Sequence, residues 1–209
     1  MKSSDIMFLA YALALYLKLT EKLRITRKYK VNDIDIIVLP GVFDPVISKS
    51  TIALMRNLDV KGSRVLEIGC GTGLLSIFLE KLGNYVVATE IDKRAARCAL
   101  INIQRNRAHV DVILTDFARG LKGPFDVIVC NPPYFKGPEN LSRAIFSRMS
   151  PYLRLMKEAR RLRAKKIYTT VSTRSQYFKD IMAFSPRVLD KVKLPMEKIY
   201  VLEIELKGH

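Results

Sequence analysis

Cysteine is scarce in this chain. Cys70, Cys98 and Cys130 are the only three, and no two are spaced as C-x-x-C. That speaks against a disulfide framework and a cysteine-rich zinc site, and fits a reducing cytosol. Histidine is scarcer still: His109 and His209 lie far apart, so a histidine-based metal site is not expected. Ten glycines and nine prolines are too few for a collagen-like or low-complexity chain. Long apolar runs are missing as well. The charge-free run 6–17, IMFLAYALALYL, has 12 residues, well short of the roughly 20 that a membrane-spanning helix needs. Acid is in short supply: 20 Asp and Glu stand against 36 Lys and Arg, a net charge of +16.

What is present is a globular mixture, 49% hydrophobic and 27% charged over 209 residues, enough for one domain with a real core. The charge surplus favours a polyanionic neighbour such as RNA, DNA, the ribosome or an anionic membrane surface. A surface selected for solubility or heat resistance is the plainer alternative. Ser3 and Ser4 read as a helix start, and 5–24 as one amphipathic helix packed on the main domain or a partner. A signal peptide or a peripheral membrane contact is the competing reading of that run. The chain thus divides into an N-terminal helix with a basic segment, 1–30, and a single domain, 31–209.

The segment 34–39 reads as a short strand, Pro40-Gly41 as a turn and 51–58 as a helix. From residue 64 the pattern alternates. Strands are expected at 64–68, 85–89, 110–114, 125–130 and 167–171, and near 188–193 and 199–206. Helices are expected at 74–82, 93–105, 141–162 and 176–184. Alternation of this kind implies an α/β fold with a mostly parallel sheet covered on both faces, its last two strands forming an antiparallel hairpin at one edge.

Four segments carry chemistry. Glu67-Ile68-Gly69-Cys70-Gly71-Thr72-Gly73 lies between a strand and a helix, where glycines admit close backbone approach and a helix N-terminus favours an anion. Glu67, at the strand end, is an expensive charge unless a ligand or the backbone meets it. Glu90 lies 17 residues beyond Gly73, at the tip of the next strand, where a carboxylate can accept both ribose hydroxyls of a nucleoside. Asp92 is better placed to cap the following helix, which leaves Glu90 for the ligand. Asp116, after the third strand, can receive an exocyclic amino group while Phe117 lies against the ring. Asn131-Pro132-Pro133-Tyr134 follows an apolar strand. The Asn131 side-chain oxygen and the Pro132 carbonyl can accept both hydrogens of a planar –NH2 group, and Tyr134 can stack on it.

VLEIGCGTG, ATEID, TDF and NPPY, in this order and spacing, resemble the class I S-adenosylmethionine-dependent methyltransferases over residues 64–134. The resemblance implies a Rossmann-like fold, a seven-stranded sheet and S-adenosylmethionine as cofactor. Glu67, Gly69, Gly71 and Gly73, with Cys70 among them, would hold the methionine portion. Glu90 and Ile91 would hold the ribose, and Asp116 and Phe117 the adenine. Asn131, next to the cofactor, would handle the target nitrogen with Pro132 and Tyr134. NPPY marks the amino-methylating branch. Within it the chain is most similar to the short HemK/PrmC-type release-factor glutamine methyltransferases. Gly41-Val42-Phe43-Asp44-Pro45, followed by Ser50-Thr51, resembles their cofactor-covering segment, and 194–206 resembles their terminal hairpin. NPPY followed by Phe135 also resembles adenine-N6 methyltransferases acting on tRNA or rRNA. The expected partner is therefore a release factor or RNA, with a small zinc-binding activator protein implied by the first family. The basic residues Arg154, Lys157, Arg160, Arg161, Arg163, Lys165 and Lys166 favour RNA or a ribosome-bound target; a solvated helix face is their other reading.

Overall fold

The structure, a computed structural model, describes residues 3–138, 142–194 and 197–206. The N-terminal helix α1 spans Ser3–Lys22 and leads into a small antiparallel hairpin, β1 (Arg27–Val31) and β2 (Ile34–Val38). After α2 (Ser50–Arg56) the main alternation begins: β3 (Arg64–Ile68), α3 (Leu74–Lys81), β4 (Tyr85–Glu90), α4 (Lys93–Arg105), β5 (Val110–Leu114) and β6 (Val127–Cys130). Two-residue strands β7 (Phe135–Lys136) and β8 (Phe146–Ser147) precede α5 (Pro151–Arg161), β9 (Lys166–Ser172), α6 (Phe178–Met182), β10 (Arg187–Lys193) and β11 (Lys198–Glu205).

Seven strands form one sheet in the order β10-β11-β9-β6-β3-β4-β5. The five from β9 to β5 are mutually parallel, and β11 runs antiparallel to both neighbours. The fold is thus α/β and Rossmann-like, with the expected hairpin at one edge. Strands β3, β4 and β6 are almost wholly buried because helices cover both of their faces. On one face α2, α3 and α4 bury Leu54, Leu75, Ile77 and Cys98. On the other, α5 and α6 bury Tyr152, Leu155 and Ile181.

The β1–β2 hairpin is fixed by helix α4. Asn106 accepts from the Asp35 N–H at 2.9 Å and donates to the Asp35 carbonyl at 2.8 Å. One turn earlier, Asn102 does the same to Ile37, at 2.8 Å in both directions. Asp92 caps α4 as expected, accepting from the Arg94 and Ala95 amides.

Three expectations need correction. Strand β1 was not anticipated, and the division drawn after residue 30 falls inside it. Arg27-Lys28-Tyr29-Lys30-Val31 alternates only between half-buried and exposed positions, a weak strand signal. The helix expected over 141–162 begins only at Pro151. Proline fits the first helical turn but breaks a helix interior, and Phe146–Ser147 pairs instead with Phe135–Lys136. The helix expected over 176–184 contracts to five residues. Residue 141 and positions 195–196 of the C-terminal hairpin lie outside the described residues.

Candidate active site

Register brings the strand ends together. Ile68 stands opposite Thr89 on one side and Cys130 on the other, and Cys130 stands opposite Thr169. The segments following β3, β4 and β6 therefore open onto one carboxyl edge, where parallel sheets place ligands. A cavity of about 890 Å³ lies there, within the size range of small-molecule sites. Glu67, Gly69, Cys70, Gly71, Glu90, Ile91, Asp116, Phe117, Asn131, Pro132 and Tyr134 all line it.

Gly73 does not line the cavity. It caps α3 with φ 79°, and a Cβ there would sit 3.2 Å from the Ala99 backbone. Its service is close packing of α3 on α4. The rest of the loop is held by β4: the Gly69 and Cys70 amides both donate to the Thr89 carbonyl, at 2.8 and 3.0 Å.

The two acids behind the loop are engaged. Glu67 is buried at the foot of α3 and accepts from the Ser76 hydroxyl. Burial pushes its pKa up to about 8, against the lowering influence of Ser76 and with the repulsion of Glu90 adding to the rise. Contrary to expectation, the Asp92 cap does not leave Glu90 free. Its Oε2 accepts from the Gly71 amide at 2.9 Å, and its Oε1 from the Ile91 and Asp92 amides at 2.7 and 3.0 Å. A carboxylate offers about four acceptor positions, so three backbone contacts orient Glu90 and leave capacity for a ligand hydroxyl.

At the third strand, Asp116 forms an ion pair with Arg154 at 2.7 Å, and the Arg154 guanidinium lies 4.2 Å over the Phe117 ring. The acid and the ring are thus joined by a residue of α5 that the sequence placed only in a basic cluster.

Asn131 is surrounded by hydroxyls. Its Nδ2 donates to Ser50 Oγ at 3.0 Å and to Thr51 Oγ1 at 2.9 Å. Its Oδ1 accepts from Thr170 Oγ1 at 2.6 Å and stands 3.1 Å from the Tyr134 hydroxyl, which is itself 2.8 Å from Thr170 Oγ1. Tyr134 carries one hydroxyl proton, so it donates to Asn131 or to Thr170 but not to both. Burial raises the Tyr134 pKa, keeping it a neutral phenol. The Cys70 and Cys130 thiols beside the loop are likewise pushed up by burial, which keeps them protonated and poor nucleophiles.

The roof combines an expected segment with an unexpected one. Gly41, Val42, Phe43 and Pro45 line the cavity, as the covering segment should. Asp44 holds that segment from within, accepting from the Val46 and Ile47 amides and pairing with Tyr29 and Arg27. The unexpected part is α1, which contributes Ala10, Leu13, Leu17, Lys18 and Glu21. Its inner face packs on Phe135, Ile145 and Phe146, and Glu21 pairs with Arg94 at 2.7 Å. Sequence reasoning missed Ser76, Thr170, Arg154 and this roof. For Thr170 there was a signal, since Thr169, Thr170 and Ser172 are hydroxyl residues in an otherwise apolar buried strand.

A glycine loop after β3, a backbone-oriented acid at the tip of β4, NPPY after β6 and a sheet of this order define a class I S-adenosylmethionine-dependent methyltransferase. The residues present fit that cofactor: a buried carboxylate at the loop, a second aimed at a nucleoside-sized cavity, and an acid–aromatic pair beyond it. The methyltransferase small domain family matches residues 33–189, and the chain belongs to it. It is 37% identical over 118 residues to a ribosomal protein L11 methyltransferase of Thermotoga neapolitana, covering 54% of this chain and 42% of that protein. It is 36% identical over 113 residues to a protein of Methanocaldococcus jannaschii named as a protein N5-glutamine methyltransferase, covering 53% and 56%. The match thus spans about half the length of these relatives. The T. thermophilus 16S rRNA N2 G1207 methyltransferase, solved with AdoMet and guanosine, superposes with a TM-score of 0.63 at 21% identity, over 88% of this chain and 50% of that one; this likeness supports the fold. No helix among the described residues is long and apolar enough to cross a membrane.

Proposed function

We propose that this protein methylates a planar amide or amino nitrogen of a macromolecule, with the glutamine amide of a translation release factor as its target. The observation that carries the reading is Asn131 at the tip of β6, its side-chain amide locked among Ser50, Thr51, Thr170 and Tyr134. The bound cofactor supplies an electrophilic methyl group on a sulfonium. The chain supplies position. Asn131 Oδ1 and the Pro132 carbonyl accept the two N–H groups of the target, leaving its lone pair directed at the methyl carbon. The Tyr134 proton moves its donation to Thr170 Oγ1, which releases an acceptor position on Asn131 for the target. Such positioning accounts for up to about 7–11 kcal/mol in well-oriented systems. Glu67, Gly69, Cys70 and Gly71 take the methionine portion, Glu90 with Ile91 the ribose, and Asp116 with Phe117 the adenine. The catalytic unit extends from the β1–β2 hairpin to the C-terminal strands, with α1 as its cover, and works in a reducing cytosol. Neither the cavity nor the relatives point to a zinc-binding activator.

The second reading is an exocyclic base nitrogen of tRNA or rRNA, favoured by the +16 charge. Methyl transfer from labelled S-adenosylmethionine, run separately against purified release factor and purified RNA with wild type and Asn131→Ala, decides between them. Label in protein alone, lost in the variant, supports the amide. Label in RNA alone moves the protein to the base-modifying branch.

A further inference from the structure

The molecule carries two basic surfaces, and they are not equivalent. The cluster on and after α5 is partly consumed by the fold, with Lys157, Arg160 and Arg163 left exposed and forming no ion pair among the described residues. Arg154 pairs with Asp116 and Lys165 with Asp126, both at 2.7 Å. Lys166 pairs with Glu203 and Glu205. Arg161 pairs with Glu158 and donates to the Ala118 and Leu121 carbonyls. A cation already paired in this way releases few counterions when a polyanion arrives.

The second surface lies between β1 and α4. There Lys28, Lys30 and Arg105 line a groove of about 220 Å³ with Tyr29 and Asp35. None of the three cations forms an ion pair among the described residues. Asp35 is the one acid lining the groove, and its backbone is tied to Asn106. Arg97 and Arg107, on and just beyond the same helix, are also exposed. Helix α4 runs between the groove and the active site. Arg94 and Arg105 are separated by 11 residues, close to three helical turns, so they share one side of the helix about 16 Å apart. Arg94 lines the large cavity; Arg105 lines the groove.

We propose that the β1–α4 groove is a docking surface for the phosphate backbone of an RNA, with α4 leading from it to the cavity mouth. Tyr29, the one aromatic lining the groove, is half-buried with its hydroxyl donating to Asp44, so the free lysine and arginine side chains suit phosphate contacts rather than base readout. The proposal deepens the second functional reading by naming the surface. Its test measures binding without methyl transfer, so either can fail alone.

The experiment is fluorescence anisotropy with a labelled single-stranded RNA 20-mer, titrated at several salt concentrations. Wild type is compared with Lys28→Glu/Lys30→Glu/Arg105→Glu, with the milder Gln triple at the same positions, and with Lys157→Glu/Arg160→Glu/Arg163→Glu on the α5 surface. S-adenosylhomocysteine affinity reports that each variant is folded. The expected result is at least a tenfold loss of RNA affinity in the groove Glu triple and a smaller loss in the Gln triple. The slope of log K against log salt should fall by about 2, from three contacts at about 0.7 each. The α5 triple, whose cations do not line this groove, should lose less affinity than the groove Glu triple. An equal or greater loss from the α5 triple, a wild-type affinity insensitive to salt, or displacement of the RNA by polyglutamate as readily as by unlabelled RNA would overturn the proposal.

Discussion

The two ends of the large cavity are held by different kinds of contact. At the cofactor end, Glu90 is gripped by three backbone amides, and the glycine loop hangs from the Thr89 carbonyl. At the target end, Asn131 is gripped by side-chain hydroxyls from three separate segments. Backbone partners persist through almost any substitution, whereas hydroxyl partners vanish with one. The grip on Glu90 and the glycine loop is thus built to stay constant, and the target end can be retuned residue by residue while the sheet stays intact.

The sharpest way to break this contrast is Asn131→Ala. Removing a positioned group of this kind costs on the order of 10²–10³ in kcat, and cofactor affinity by calorimetry should change less than about threefold. A parallel fall in both would mean that the two ends are not separate. Next comes Glu90→Ala, which strips a charged hydrogen-bonding partner worth about 1.5–3 kcal/mol. S-adenosylmethionine should bind roughly tenfold to a hundredfold more weakly; unchanged affinity would take Glu90 out of the cofactor site. Thr170→Val should lower kcat about fivefold, near 1 kcal/mol for one neutral hydrogen bond, with KM for cofactor steady. Thr170→Ser should restore the rate, and failure to do so would assign the loss to packing rather than to orientation of Asn131.

The smallest effect on turnover should come from Glu67→Gln, whose signature is a pH dependence. In the fold the carboxyl pKa is raised by burial from its ordinary 4.5 to about 8. Between those values the native state keeps a proton that the unfolded chain loses, so stability falls as pH rises. The contribution is complete below the ordinary value and gone above about pH 8. Melting temperature should therefore drift downward from pH 5 to pH 8 in wild type, and the drift should flatten in the variant. Parallel profiles would show that Glu67 is ionised throughout.

Much of the cofactor end was legible in the sequence, and the reasons are physical. Short, mostly β-branched or apolar segments such as 65–68 and 127–130, closed by glycine or Asn-Pro, read as buried parallel strands, and Asp92 marks a helix start by its chemistry. Glu67, Glu90, Asp116 and Asn131 therefore fell near one another by counting elements. What escaped depends on tertiary contact. Strands β7 and β8 have two residues each and exist only because they meet. Arg154 looks like any cation of a basic helix until Asp116 and Phe117 are beside it. Thr170 sits on a strand distant in sequence from Asn131, and its hydroxyl says nothing of direction until the sheet order is known. The roof of α1 was legible as a helix with an apolar face, but the surface that receives this face is assembled from Phe135, Ile145 and Phe146.

The asparagine pair on α4 has a consequence for association. Four residues of helix advance about 6 Å, and two residues of strand about 6.7 Å. Asn102 and Asn106 can therefore address Ile37 and Asp35 in turn, each amide presenting a donor and an acceptor as a neighbouring strand would. The helix acts as a counterfeit strand. The two periods diverge by about 0.7 Å per step, so the imitation holds for two rungs and then drifts out of reach. Two rungs are enough for a hairpin this short. The outer edge of β2, otherwise an open template for a second chain, is sealed by a helix that belongs to the core.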